Sequence, residues 1–164
     1  MVAYAFRMPS GIAGEVTRSN SAVVEAGLLD STTPPTAYGT VVKLVAGKLQ
    51  PVAAADVIAT VAYGIIVRTF PSSGSVATQG LGQGAPISSG VVGSILRSGY
   101  VNVLMARGTA AKGAAVFVRK TADTGKLVGD FEDLTDSGKC EALPGAFYMG
   151  PADANGMVEI SYNI

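Results

Sequence analysis

Five acidic residues, Asp123, Asp130, Glu132, Asp133 and Asp136, crowd one stretch of this chain and are the first place to look for chemistry. Clustered carboxylates bind calcium when they alternate as in an EF-hand loop, and a suitably separated pair can cleave glycosides. The spacing here lacks the alternation, and the neighbouring Thr124-Gly125 and Ser137-Gly138 mark the positions as turns in a solvated loop. With no Trp and 7% aromatic residues, there is little to stack against sugar rings in a glycosidase cleft. Cys140 is the only cysteine, so no disulfide and no multi-cysteine metal site can form within the chain. The sequence contains no His. Imidazole acid–base catalysis, Ser-His-Asp and Cys-His nucleophiles and His-ligated zinc are therefore excluded, and Cys140 reads as a small filler in a chain made in a reducing cytoplasm.

The remaining motifs are weak. Gly80, Gly82 and Gly84 have the look of a phosphate loop, but Ala85-Pro86-Ile87-Ser88 does not open the helix whose N-terminus would face the anion. No serine sits in a supported nucleophile elbow. The reading is of a chain with no catalytic residues, no metal site and no cofactor. Arg7, Arg18, Arg68, Arg97, Arg107 and Arg119 are scattered, and 12 basic residues balance 12 acidic ones. A neutral chain lacks the surplus of Lys and Arg that phosphate neutralisation requires, so nucleic acid is not the expected partner. Nor is a membrane expected, because no stretch is apolar for the roughly 18 residues a spanning helix needs.

The elements that carry these residues are short. At 164 residues there is room for about one domain, and 48% hydrophobic content without net charge is a folded composition. Gly (21 residues) and Pro (8 residues) are spread along the chain, which leaves no place for long helices. β-Branched, alternating runs predict strands at 40–45, 64–70, 91–96, 100–106, 114–120, 146–149 and 157–162. Ala46-Gly47-Lys48 turns the first of these back through Leu49 and Val52 as a hairpin, with Pro51 confining the return to an edge. Ile65, Ile66 and Val67 are apolar on both faces and belong in the core. Residues 53–62 are compatible with a short helix. The pattern as a whole predicts an all-β fold, a small antiparallel β-barrel or jelly-roll-like sandwich.

Residues 1–38 differ from the single β domain expected over 39–164. They carry little periodicity, and Pro34 and Pro35 hold the backbone extended. They read as an extended N-terminal arm with an edge segment at Val23 and Val24. Along this arm Tyr4, Phe6, Arg7, Ile12 and Val16 are the expected contacts, since apolar side chains there are costly to expose without a partner. The glycine- and serine-rich loop 71–90 is the second expected contact surface.

Several segments resemble the capsid cement, or decoration, proteins of tailed bacteriophages. Ser10-Gly11-Ile12-Ala13-Gly14-Glu15-Val16 resembles the family's G-x-A-G-x-V opening, and Gly39-Thr40-Val41-Val42-Lys43-Leu44 the strand that follows it. Tyr63-Gly64-Ile65-Ile66-Val67-Arg68 resembles the central strand, and Gly99-Tyr100-Val101-Asn102-Val103 with Lys112-Gly113-Ala114-Ala115-Val116-Phe117-Val118 the later hairpin. The resemblance implies a non-enzymatic virion protein, made in the host bacterial cytoplasm. It would bind the outside of an icosahedral shell and tie neighbouring major capsid protein subunits together, usually as a homo-dimer or homo-trimer. The rival reading is a ligand- or carbohydrate-binding β module, which would need an exposed aromatic platform built from Tyr38, Tyr63, Tyr100, Tyr148 and Tyr162.

Overall fold

The computed structural model describes residues 11–68, 90–136 and 138–164. Nine strands form one sheet: β1 (Val23–Leu29), β2 (Val41–Val45), β3 (Lys48–Pro51), β4 (Ala62–Val67), β5 (Val92–Arg107), β6 (Ala115–Arg119), β7 (Phe131–Glu132), β8 (Cys140–Tyr148) and β9 (Met157–Asn163). Their order is β1-β3-β2-β4-β5-β7-β6-β8-β9, and two further ladders, β1–β5 and β5–β9, close the sheet on itself twice. One ring comprises β1, β3, β2, β4 and the first half of β5. The other comprises the second half of β5 with β7, β6, β8 and β9. All-β is thus correct, but a single antiparallel barrel is not what forms. The sheet is mixed, with parallel ladders β1–β3 and β5–β7, and it closes around a shared strand instead of making one clean barrel.

The first ring is filled by one buried apolar side chain from each strand: Leu29, Val42, Leu49, Ile66 and Ile95, with Tyr38 and Tyr63 packed against them. So small an interior has no room at neighbouring inward positions. A Cβ on Gly27 would lie 2.6 Å from Leu49 Cδ1 and 2.8 Å from Ile95 Cδ1. The second core lies between the outer face of this ring and the interior of the other. Val41, Ile65, Val67 and Leu96 contribute from the first ring, and Val103, Val116, Val118, Phe131, Tyr148, Val158 and Ile160 are among the residues of the second. Adjacent residues such as Val41 and Val42, or Ile65 and Ile66, therefore face two different cores, which explains a strand apolar on both faces.

The 40–45 strand and its hairpin form as expected. Val45 pairs with Lys48, and the two intervening residues have positive φ, 49° at Ala46 and 79° at Gly47, which is the backbone that suits a two-residue turn to strand twist. β3 is not an edge, however. On its other side Lys48 and Leu49 pair in parallel with Leu28 and Leu29, and Pro51 is tolerated because it lies beyond that ladder.

The two strands expected at 91–96 and 100–106 are one strand of 16 residues. Gly99, at φ 138°, allows β5 to change direction without ending, so that its start pairs with β1 and β4 and its end with β9. β8 likewise begins six positions before the expected 146–149 run, crossing an irregularity at Pro144-Gly145. The helical possibility at 53–62 is one turn, Ile58–Val61, with Ile58 buried. Beside it Lys120 Nζ donates to the Asp56 carbonyl at 2.6 Å and to Glu141 at 2.8 Å, while Lys43 holds the Asp56 carboxylate at 2.7 Å. This network straps the two rings together.

The described part of the expected arm is stitched to β5. Gly14 N–H donates to the Asn102 carbonyl at 2.8 Å, Asn102 N–H to that of Glu15 at 2.9 Å, and Thr17 N–H to that of Tyr100 at 3.1 Å. β1 follows directly, paired with β5 from Val23 to Leu28. Residues 1–10 lie outside the described residues.

Candidate functional site

The acidic stretch is consumed by the fold. Glu132, on β7, accepts from Arg119 Nε at 2.6 Å, and both side chains are completely buried. Arg119 also donates to Asp136 at 3.0 Å and to the Thr121 carbonyl. Asp133 accepts from the N–H of Thr109 at 2.6 Å, Asp130 from that of Leu127 at 2.6 Å, and Asp123 pairs with Lys139 at 2.6 Å. Lys139 and the N–H of Thr124 hold Asp123 down to a pKa of about 2, and the guanidinium of Arg119 lowers Asp136. The solvated-loop reading is corrected for Glu132, a buried anchor that only its distant partner Arg119 makes tolerable. No group of three potential metal ligands occurs among the described residues.

Cys140 is half-buried at the start of β8. Burial first, then its hydrogen bond to Glu132, push the thiol pKa up. A thiol held above its ordinary range carries little thiolate, the reactive form, at neutral pH.

The tyrosines do not form a platform. Tyr148 and Tyr162 are buried, and the Tyr148 hydroxyl donates to the Glu132 carbonyl at 2.9 Å. Each of the other three has a guanidinium over its ring: Arg18 over Tyr100 at 3.9 Å, Arg97 over Tyr63 at 3.9 Å and Arg68 over Tyr38 at 4.8 Å. Arg18 is itself held by Glu159 at 2.8 Å, and Arg97 pairs with Glu25 at 3.3 Å while donating to the Tyr63 carbonyl. A ring face covered by an anchored cation is not open to a sugar.

Of the expected contact residues, Val16 is half-buried, bridges Val101 and packs against the second core. Ile12 is half-buried in the turn closed by Glu15, whose N–H donates to the Ile12 carbonyl at 3.1 Å. Tyr4, Phe6 and Arg7 lie outside the described residues, as does nearly all of the 71–90 loop, of which only Gly90 is described.

What the structure adds is an apolar face. Val24, Ala26 and Leu28 alternate on the outer side of β1 and are exposed. Leu28 pairs with Val92 on β5 and with Lys48 on β3, and Lys48 pairs with Val45 on β2. Val92, Leu28, Lys48 and Val45 therefore make one row across four strands. The only hint in the sequence is that 23–29 is apolar at nearly every position, which an alternating surface strand is not.

Residues 2–163 match a family model described as "Structural cement protein (E217 gp24/Pam3 gp6)". A solved chain titled "The capsid of Myoviridae Phage XM1" has a similar fold, with a TM-score of 0.67 over 99% of this chain and 97% of that one, at 17% sequence identity. No curated protein matches the chain. A closed all-β body whose buried charges are spent on internal pairs, matched over its length by a phage family, is a phage structural protein. The chain belongs to the structural cement protein family.

Proposed function

We propose that this protein binds the outer surface of an icosahedral phage shell and stabilises the contacts between major capsid protein subunits. The observation that carries this reading is the family match over residues 2–163. An interface of about 1,600 Å² suffices for stable association, and repetition over a shell multiplies a modest affinity into mechanical strength. Contact with the shell through the N-terminal segment and the 71–90 loop belongs to this reading, with Tyr4, Phe6, Arg7, Ile12 and Val16 as the contact residues. Self-association as a homo-dimer or homo-trimer belongs to the same reading, as does synthesis in the host cytoplasm. Among the described residues no helix is long and apolar enough to cross a membrane.

The test is decoration of purified shells that lack this protein. Saturation at a fixed number of copies, with an increase in the temperature or force at which the shells rupture, is the expected result; shells that neither bind it nor gain strength would refute the reading. Deleting residues 1–10 is expected to lower occupancy. The cut stops short of Gly14, whose N–H and carbonyl are both bonded within the sheet.

A further inference from the structure

The outer face of the first ring is apolar well beyond the part that the chain covers itself. Along β4 and the adjoining parts of β2 and β5 that face is the second core, through Val41, Ile65, Val67 and Leu96. Continuing round the ring, Val24, Leu28, Val92 and Val45 remain 44%, 42%, 65% and 41% exposed. Single exposed aliphatics are ordinary, but a contiguous row over four neighbouring strands is a mark of an interaction surface. By the same criterion Phe147, exposed on the far side beside Ser161, stands alone.

Among the described residues each strand of the two rings has neighbours on both sides, which favours docking on a face over adding a strand to an edge. The row Val92, Leu28, Lys48, Val45 holds a single charged side chain, Lys48. Lys48 pairs with Asp30 Oδ1 at 3.8 Å, a long contact to an almost wholly buried carboxylate whose other oxygen is held by the N–H and hydroxyl of Thr33. A two-fold contact between copies through this row would bring the two Lys48 side chains together with no carboxylate in the row itself to meet them. The complement it fits is a different surface, apolar with an acidic side chain positioned for Lys48.

We infer that the outer face of β1, β3 and the adjoining ends of β2 and β5, centred on Val92, Leu28, Lys48 and Val45, docks onto an apolar, carboxylate-bearing surface of a capsid subunit. The inference rests on the cement reading and adds to it which side of the body faces the shell. Occupancy of undecorated shells measured by co-sedimentation, alongside sedimentation equilibrium of the free protein, tests it with Val92→Glu, Lys48→Glu and the control Phe147→Ser. The first two are expected to raise the half-saturation concentration at least tenfold, at a temperature where each variant is folded and with oligomeric state unchanged, while the control binds as wild type. Wild-type protein that does not occupy shells would overturn the cement reading and this inference with it. Wild-type binding with Val92→Glu equally good would overturn the inference alone. A changed oligomeric state in Val92→Glu would assign the face to a second copy, and undiminished binding by Lys48→Glu would remove the carboxylate; either outcome overturns the proposal as stated.

Discussion

Arg119 Nε donates to Glu132 Oε1 over 2.6 Å, with neither side chain exposed to solvent, and this pair fastens β6 to β7 in the wall of the second ring. Glu132 raises the pKa of Arg119 through this bond, so the guanidinium is charged at any pH the protein meets. Losing one partner strands the other charge in the core. Arg119→Met should cost about 3 to 5 kcal/mol, while Arg119→Met with Glu132→Leu should recover much of it, because a well-packed apolar pair avoids the desolvation of two ions. Urea denaturation of the two single variants and the double variant checks the cycle. Additive losses would show that the two charges do not depend on each other.

Two glycines distinguish space from backbone. At Gly64 an added Cβ would lie on Ile95 Cγ2 and 2.7 Å from the Leu96 carbonyl oxygen, inside a ladder that cannot part. Gly64→Ala should destabilise by about 3 kcal/mol, at the upper end of overpacking costs. At Gly47, φ is 79° and nothing lies within 4 Å, so Gly47→Ala should cost only the left-handed backbone, about 1 kcal/mol. Denaturation midpoints of the two variants give the comparison.

Burial holds the Asp130 carboxyl above the ordinary aspartate range, although the N–H of Leu127 opposes that shift. A carboxyl that binds its proton more readily folded than unfolded opposes folding at neutral pH, and the opposition fades as pH falls through its raised folded pKa toward the unfolded one. Asp123 and Asp136 have the opposite sign. Their pairs with Lys139 and Arg119 hold them low, so their contribution is complete above the unfolded aspartate pKa of about 4 and is lost as pH falls through their depressed values. Asp130→Asn keeps an oxygen for Leu127 N–H and should melt no lower than wild type at pH 7. Any advantage should shrink by pH 4, and thermal melts at both pH values decide.

Cys140 should react slowly with thiol reagents in the folded protein and at an ordinary rate in urea, because its raised pKa leaves little thiolate. Cys140→Ala should move the melting temperature by no more than about 4 °C. Native labelling as fast as in urea would contradict the packing described for β8.

Much of the strand content was legible because it is local. The alternation of Val158, Ile160 and Tyr162 with Glu159 and Ser161 states which face of β9 is buried, and the structure buries it. The doubly apolar Ile65-Ile66-Val67 could only be a strand with core on both sides. The breaks were less legible. Gly99 looked like the end of a strand and is a bend inside one, since a positive φ serves either purpose. The candidate interface was hardly legible at all. Val24 and Leu28 are exposed only because their neighbours on β3 and β5 turn that side outward, and Val16 is tucked in only because Val101 lies beneath it.

Residue type and order alone determined that the chain is all-β, that it turns at Ala46-Gly47, and that it has no imidazole with which to do chemistry. Tertiary structure alone decided that β1 lies between β3 and β5, that the sheet closes twice around β5, that Glu132 is a buried anchor for Arg119, and that one apolar face is left uncovered. The physical reason is range. Turn preference and two-residue periodicity are properties of neighbouring residues, whereas partners such as Leu28 and Lys48, or Val24 and Leu96, are chosen by packing between segments far apart in the chain.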